Sequence, residues 1–192
     1  MERMCELEIG FSRSAGKQEA LNELMSQIMG SYSVSDDEGP LVDAVEAFLK
    51  KQPHLTVRRH GDTLVASTDF GRARRVILAG HLDTVPVIDN FPPKWLEPGD
   101  PLIREDVAAG HEHERVIWGR GATDMKGSDA AMLYLAATLT DAKYDLTYVF
   151  YDHEEVAAEK NGLRKVVETH PDWIAGDFAI IGEPTDCGIE GG

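Results

Sequence analysis

The sequence has 192 residues, of which 42% are hydrophobic and 28% are charged, as in an ordinary globular protein. Its 19 basic and 34 acidic residues give a net charge of −15. This charge argues against nucleic acid or an anionic membrane as a partner, because phosphate binding requires a basic surface. No apolar stretch approaches the ~20 residues of a membrane span, and residues 1–16 lack the layout of a signal peptide. We therefore expect a cytoplasmic protein.

The two cysteines, Cys5 and Cys187, lie near opposite ends of the chain. Neither has the paired spacing of a zinc-thiolate site, and two distant cysteines do not indicate a disulfide framework. We expect both to be free thiols.

The first third of the sequence predicts two helices. Apolar residues recur at helical spacing within residues 18–29 and again within residues 41–49. Ser35 and Glu38 precede the second helix with the spacing of a capping box, in which each side chain satisfies a free backbone N–H. Pro53 is expected to lie just beyond the end of that helix.

Five short runs of apolar and β-branched residues predict strands. They are residues 56–59, 63–67, 76–79, 146–151 and 178–181. The last three have the pattern of strands buried on both faces, and helices are predicted between them at residues 128–139 and 163–169. The proline-rich residues 86–114 indicate a long loop. This order predicts an α/β domain with a mostly parallel, mixed sheet and helices on both faces.

Side chains that can bind metal follow each of the three buried strands. They are His81 and Asp83 after the first strand, Glu154 and Glu155 after the second, and Glu183 after the third. Ligands bind beyond the carboxyl ends of the strands in open α/β sheets. We therefore expect these side chains to converge at one edge of the sheet.

Asp124 makes a further contribution, because it lies in the glycine-rich residues 119–127 just before a predicted helix. Each residue alone has a structural alternative: Asp124 could cap that helix, His81 could be a hydrogen-bonded core histidine, and Glu154 and Glu155 could be a solvated strand end. Together these alternatives would leave several carboxylates crowded at one edge, which cations would neutralise. The pattern therefore predicts a metal centre.

Imidazole and carboxylate ligands without thiolate are typical of a catalytic zinc or a similar divalent ion. Adjacent glutamates in an extended segment point in different directions, so one of Glu154 and Glu155 can bind metal while the other accepts a proton. Asp83, two residues after His81, is placed to accept the second N–H of the imidazole.

Four segments resemble the signature blocks of the dinuclear zinc peptidase/deacylase family and occur in the order found in that family. They are residues 80–86, 121–127, 154–155 and 182–185. The resemblance implies a zinc-exopeptidase-like catalytic domain that hydrolyses amides. Within the family, residues 154–157, 161–163 and 170–173 resemble the actinobacterial succinyl-diaminopimelate desuccinylases of lysine and diaminopimelate biosynthesis. Acetylornithine deacetylase or an aminoacyl carboxypeptidase is the alternative.

The resemblance also implies which residues bind the metal ions. His81 and Glu183 would bind one ion, Glu155 would bind the other, and Asp124 would bridge both. The two divalent ions would be zinc, with cobalt or manganese as alternatives. A cis peptide bond is expected between Asp124 and Met125.

Two further residues receive catalytic roles from the same resemblance. Glu154 would be the general base and would later donate a proton to the leaving amine, and Asp83 would orient His81. Substrate-binding residues are not identified by any matching motif.

One metal-binding histidine of the family and its lid domain have no counterpart in this sequence. The resemblance therefore implies that residues 1–192 are the N-terminal part of a catalytic domain, truncated before its C-terminal part and the lid or dimerisation domain. The full-length protein would be a homodimer that acts on a small N-acyl amino acid, and the 192-residue chain alone would be inactive. The open alternative is a catalytically silent metal-binding fragment.

Overall fold

The structure, a computed structural model, describes residues 7–105, 109–186 and 188–191. Cys5 and Cys187, and with them the prediction of free thiols, lie outside these residues. Among the helices that are described, none is long and apolar enough to cross a membrane.

In the described part of the chain, seven strands form one large and one small sheet. They are β1 Thr56–His60, β2 Thr63–Ser67, β3 Arg75–His81, β4 Lys94–Leu96, β5 Val116–Trp118, β6 Asp145–Tyr151 and β7 Phe178–Ile181. The large sheet has the order β1-β2-β6-β3-β7, and β4 pairs with β5. Strand β3 is parallel to β6 and β7, whereas β2 is antiparallel to β1 and β6. The predicted α/β class with a mixed sheet is confirmed.

Helices cover both faces of the large sheet, as predicted. They are α1 Lys17–Gly30, α2 Gly39–Lys50, α3 Gly127–Thr138 and α4 Gly162–Thr169, followed by a short 3-10 helix at Pro171–Ile174. Because side chains alternate along a strand, Leu64 and Ala66 of β2 join the core beneath α1, α2 and α3. Val65 points the other way and packs with Val166 of α4.

Strand β7 is exposed, so the prediction of a third strand buried on both faces is wrong. Phe178 is 63% exposed, Ile180 49% and Ile181 48%. Strand β7 lies at the edge of the sheet and, within the described residues, pairs with β3 alone. An apolar run predicts a strand, but whether that strand is covered depends on its neighbours in space.

Ser35 and Glu38 do not form the predicted capping box. Helix α2 begins at Gly39, with Glu38 as its cap residue and without a side-chain cap hydrogen bond. The Ser35 hydroxyl instead donates to Oδ2 of Asp83 at 2.6 Å, and Oε1 of Glu38 accepts the backbone N–H of His153 at 3.3 Å. Both side chains therefore bind residues that follow strands of the sheet.

Two glycines let β3 and β7 approach the turn that precedes α3. A Cβ atom at Gly80 would lie 2.5 Å from Oδ1 of Asp129 and 2.7 Å from Cε of Met125. At Gly182 it would lie 2.6 Å from Cβ of Ser128. The missing side chains therefore allow the turn that carries Asp124 to pack directly on the ends of both strands.

We expect Gly80→Ala to lower the free energy of unfolding by about 1–3 kcal/mol, because Met125 and Asp129 must shift to admit the methyl group. Urea denaturation measures this change. Gly39→Ala is the matched control, since a Cβ atom at Gly39 meets nothing within 4 Å. Equal stability of the two variants would show that the close approach at Gly80 is not required.

Candidate metal centre

The three parallel strands of the sheet bring the predicted ligands to one edge. His81 is the last residue of β3, and Glu183 follows β7 by two residues. Glu154 and Glu155 follow β6, which is the other neighbour of β3. The convergence expected from the sequence is therefore found.

His81 lies at the centre of this edge, with its side chain fully buried. Its Nε2 atom is 3.0 Å from Oδ1 of Asp124 and 3.7 Å from Oε1 of Glu183. Its Nδ1 atom is 3.0 Å from the backbone oxygen of Asp83 and 3.5 Å from Oδ1 of that residue. One nitrogen therefore faces the carboxylates of the site, while the other is held by Asp83.

Among the residues that the structure describes, two groups of potential ligand atoms share His81. One group contains Asp124 and Glu183, and the other contains Glu154 and Glu155. Within each group, all the ligand atoms lie within 4.8 Å of one another. The first group contains the residues that the family resemblance assigns to one ion.

The two adjacent glutamates converge, although their sequence predicted side chains that point in different directions. That prediction assumed an extended segment, whereas a bend follows β6 and His153 adopts a φ of 57°. Both carboxylates consequently reach His81. A division of roles between Glu154 and Glu155 therefore does not follow from direction alone.

Asp83 holds the backbone of this glutamate pair. Its Oδ1 atom accepts the N–H of Glu154 at 3.0 Å, and its Oδ2 atom accepts the N–H of Glu155 at 3.1 Å. Burial raises the pKa of Asp83, but hydrogen bonds from His81, Ser35 and the two N–H groups outweigh burial and lower it. Asp83 is thus an ionised, buried anchor that contacts more than the imidazole that the sequence predicted.

The carboxylates of the site repel one another. Burial raises the pKa of Glu155, and the negative charge of Asp124 raises it further. Burial also raises the pKa of Glu183, where His81 opposes and Asp124 adds to the increase.

The peptide bond between Asp124 and Met125 is cis, as expected from the resemblance.

Residues 77–191 match the model of a family described as peptidase family M20/M25/M40. The chain belongs to this family. The protein called DapE in Mycobacterium tuberculosis strain H37Rv is 41% identical to it over 171 residues, which cover 88% of this chain and 44% of that protein. A protein named succinyl-diaminopimelate desuccinylase from Corynebacterium glutamicum is 37% identical over 174 residues, which cover 88% of this chain and 42% of that protein.

The fold is also found in a solved M20 structure. The metallo-carboxypeptidase Sso-CP2 from Sulfolobus solfataricus aligns with a TM-score of 0.62 at 17% identity, over 84% of this chain and 37% of that one. This likeness concerns the fold. The M20 chain described here spans less than half the length of the curated relatives that it matches.

The M20 family is metal-dependent, and the residues of this edge fit a divalent ion. The described ligand groups combine one imidazole with carboxylate oxygens, a donor set that suits zinc, manganese or cobalt. Burial and the negative charge of Asp124 raise the pKa values of Glu155 and Glu183, and a cation beside these carboxylates relieves the repulsion. Both chemistry and charge therefore favour metal at this edge of the M20 chain.

Lys126 and Asp129 are buried residues next to this edge that the sequence did not single out. Burial lowers the pKa of Lys126 to about 8, and its Nζ atom donates to the backbone oxygens of Ile28 and Ser31. Burial raises the pKa of Asp129 well above its ordinary value, and its oxygens have no hydrogen-bond partner among the described residues. The sequence signal that could have indicated them is the presence of charged residues at the start of an apolar helix.

We expect zinc binding at pH 7 to release one proton from the imidazolium of His81. Burial by itself lowers the pKa of His81, but Asp83, Glu183 and Asp129 raise it to about 10, so the metal-free ring is protonated at both nitrogens. Metal binding requires neutral imidazole. Calorimetric titration in buffers of different ionisation enthalpy measures the release, and a binding heat independent of the buffer would contradict it.

The same shift affects the stability of the metal-free protein. Because the folded pKa of about 10 exceeds the ordinary histidine value near 6.5, the contribution of His81 to stability is full below pH ~6.5. It is lost as the pH rises toward 10. Unfolding measurements across this interval, with His81→Gln as the comparison, should show the loss in the parent protein alone.

Proposed function

We propose that this chain provides the metal centre of an amide hydrolase that converts N-succinyl-LL-2,6-diaminopimelate and water into succinate and LL-2,6-diaminopimelate. The convergence of His81 with Asp124, Glu183 and the adjacent glutamates carries the proposal. The choice of this substrate is supported by the sequence identity of 37% to the Corynebacterium glutamicum protein that is named succinyl-diaminopimelate desuccinylase.

The metal ligands are assigned from the family resemblance, and the two groups of potential ligand atoms around His81 support the assignment. His81 and Glu183 would hold one divalent ion, Glu155 would hold a second, and the carboxylate of Asp124 would be shared. Zinc is the first choice, and cobalt or manganese suits the same donors. When bound, such a pair of ions polarises the scissile carbonyl and makes water more acidic.

Glu154 would move the proton in this reaction. Its carboxylate lies within 4.8 Å of the ligand atoms of His81 and Glu155, and its backbone is fixed by the hydrogen bond to Asp83. It accepts a proton from the attacking water and returns that proton to the leaving amine, which must be protonated to depart. Asp83 keeps both His81 and the glutamate backbone in place for this transfer.

The proposal includes the part that the chain plays in a longer protein. Since the chain spans less than half of its curated relatives, we assign it to the N-terminal part of the catalytic domain. A further metal-binding histidine, the substrate-binding groups and a lid or dimerisation domain would then be supplied by other sequence. A homodimer located in the cytoplasm, acting on a small N-acyl amino acid, completes the proposal.

The test is a comparison of substrates. The protein that carries this chain, loaded with zinc, is assayed for amine release from N-succinyl-LL-2,6-diaminopimelate, N-acetylornithine and an N-acylated dipeptide. We expect kcat/KM to be at least ~100-fold higher for the succinyl substrate, a difference of about 2.7 kcal/mol in transition-state binding. A preference for acetylornithine or the dipeptide would support the alternative enzymes of the family. Zinc binding without hydrolysis of any substrate would support a silent metal-binding unit.

A further inference from the structure

His153 connects strand β6 to the glutamate pair and has an unusual backbone conformation. Its φ of 57° lies in the left-handed region, which costs free energy for a residue other than glycine and persists only when the surroundings hold it. The next two residues, Glu154 and Glu155, both donate their N–H groups to Asp83. The turn at His153 therefore sets the direction in which the glutamates leave the strand.

The imidazole of His153 is held by three carboxylates. Its Nδ1 atom is 2.6 Å from Oδ2 of Asp152 and 3.5 Å from Oε1 of Glu38. Its Nε2 atom is 3.0 Å from Oδ1 of Asp36. The side chain of His153 is only 14% exposed, and that of Glu38 is 1% exposed. The contacts with Asp152 and Glu38 are therefore shielded from water, unlike an ordinary surface ion pair, whereas the side chain of Asp36 is 62% exposed.

The segment that supplies Asp36 and Glu38 is fixed to the end of β3. Val34 forms an isolated parallel bridge with Thr84, and the N–H of Ser35 donates to the backbone oxygen of Thr84 at 3.1 Å. The hydroxyl of Ser35 donates to Asp83 at 2.6 Å. We call residues 33–38 the anchoring segment, because it joins the ends of two strands.

These contacts form a closed circuit around the glutamate pair. Asp83 holds the N–H groups of Glu154 and Glu155 and also accepts from Ser35 of the anchoring segment. The anchoring segment in turn holds His153 through Asp36 and Glu38. A change in the backbone before Glu154 would therefore break at least one of these hydrogen bonds.

We propose that His153 is a positioning residue whose imidazole, held by Asp36, Glu38 and Asp152, keeps the turn that directs Glu154 and Glu155 toward His81. This inference rests on the proposed function, because it gives the glutamate pair its metal-binding and proton-transfer roles. It assigns to His153 no contact with metal or substrate. The ring acts through the backbone of the two residues that follow it.

The test compares His153→Gly with the parent protein by zinc titration. Glycine permits the left-handed turn without strain, so this variant removes the ring but not the allowed conformation. We expect the binding step that depends on Glu155 to weaken at least tenfold. The step at His81, Asp124 and Glu183 should change less than threefold. A ring that only stabilised the fold would weaken both steps together and lower the unfolding temperature in proportion.

A second variant, Glu38→Gln, removes the negative charge that the anchoring segment places beside His153, while keeping the size of the side chain. It should reproduce the selective loss in weaker form, so the inference stays testable even if the glycine variant folds poorly. His113→Gly is the control, because His113 is an exposed histidine outside the circuit, and its zinc titration should equal that of the parent.

Two results would overturn the inference in distinguishable ways. Parent-like affinities at both steps in His153→Gly and in Glu38→Gln would exclude a positioning role while leaving the proposed function intact. A parent protein that shows no step dependent on Glu155, measured with Glu155→Gln, would contradict the proposed metal centre and the positioning role with it.

Discussion

Glu154→Gln should lower kcat for amide hydrolysis by about 100- to 10,000-fold, the usual contribution of a general base, and leave both zinc affinities within about threefold of the parent. The amide has nearly the same shape as the carboxylate but accepts no proton at neutral pH. The backbone N–H of residue 154 still donates to Asp83, so the turn is expected to persist. Steady-state kinetics with parallel zinc titration measure the two quantities.

The matched variant Glu155→Gln distinguishes the proton-transfer role from the metal-binding role, because both carboxylates lie in one ligand group with His81. We expect Glu155→Gln to lower the zinc affinity, whereas its kcat at saturating zinc should fall less than that of Glu154→Gln. Glu159→Gln is the control, since Glu159 is an exposed glutamate of the following loop. Substantial turnover by Glu154→Gln, together with a catalytic defect confined to Glu155→Gln, would exchange the two roles.

Asp124→Ala should weaken both zinc-binding steps by at least about 100-fold. Loss of an outer-shell partner of a metal ligand typically costs 10- to 100-fold in affinity, and a shared ligand should cost at least as much at each ion. Asp124 lies 3.0 Å from Nε2 of His81. Its charge also raises the pKa values of both Glu155 and Glu183, which belong to different ligand groups.

Metal analysis after dialysis, together with calorimetric titration, distinguishes the outcomes for Asp124→Ala. Retention of one ion at parent affinity would rule out a bridging role and restrict Asp124 to the group with His81 and Glu183. Asp172→Ala serves as the control, because Asp172 is exposed in the short 3-10 helix. Asp172→Ala should leave the affinity of both zinc-binding steps unchanged.

Much of the fold could be predicted because its signals are local. Apolar periodicity placed a helix at residues 18–29, and the structure has α1 at Lys17–Gly30. The same periodicity placed a helix at residues 128–139, where α3 spans Gly127–Thr138. Such patterns depend on which residues lie three or four apart, and that information is contained in the chain order itself.

The location of the candidate metal centre could also be predicted, because parallel strands place their carboxyl ends together. His81 ends β3, and Glu154 and Glu183 follow the parallel strands β6 and β7. A sequence that ends three parallel strands in potential ligand residues brings those residues to one edge. The imidazole and carboxylate groups of these candidate ligands favour divalent ions that bind nitrogen and oxygen.

The sequence by itself thus determined the helices and the strands of the large sheet, the edge at which the candidate ligands meet and the class of metal that those residue types suit. It did not predict the pairing of β4 with β5, because residues 86–114 have the composition of a loop. Only the tertiary structure decided the partners of Ser35 and Glu38, the exposure of β7 and the convergence of Glu154 with Glu155. The Ser35–Asp83 contact spans 48 residues, and the contact between Glu38 and His153 spans 115. A local pattern records the period of an element but not the neighbour that reaches it from a distant part of the chain. The convergence of the candidate ligands could therefore be predicted from the strand ends, whereas the circuit that holds the two glutamates could not.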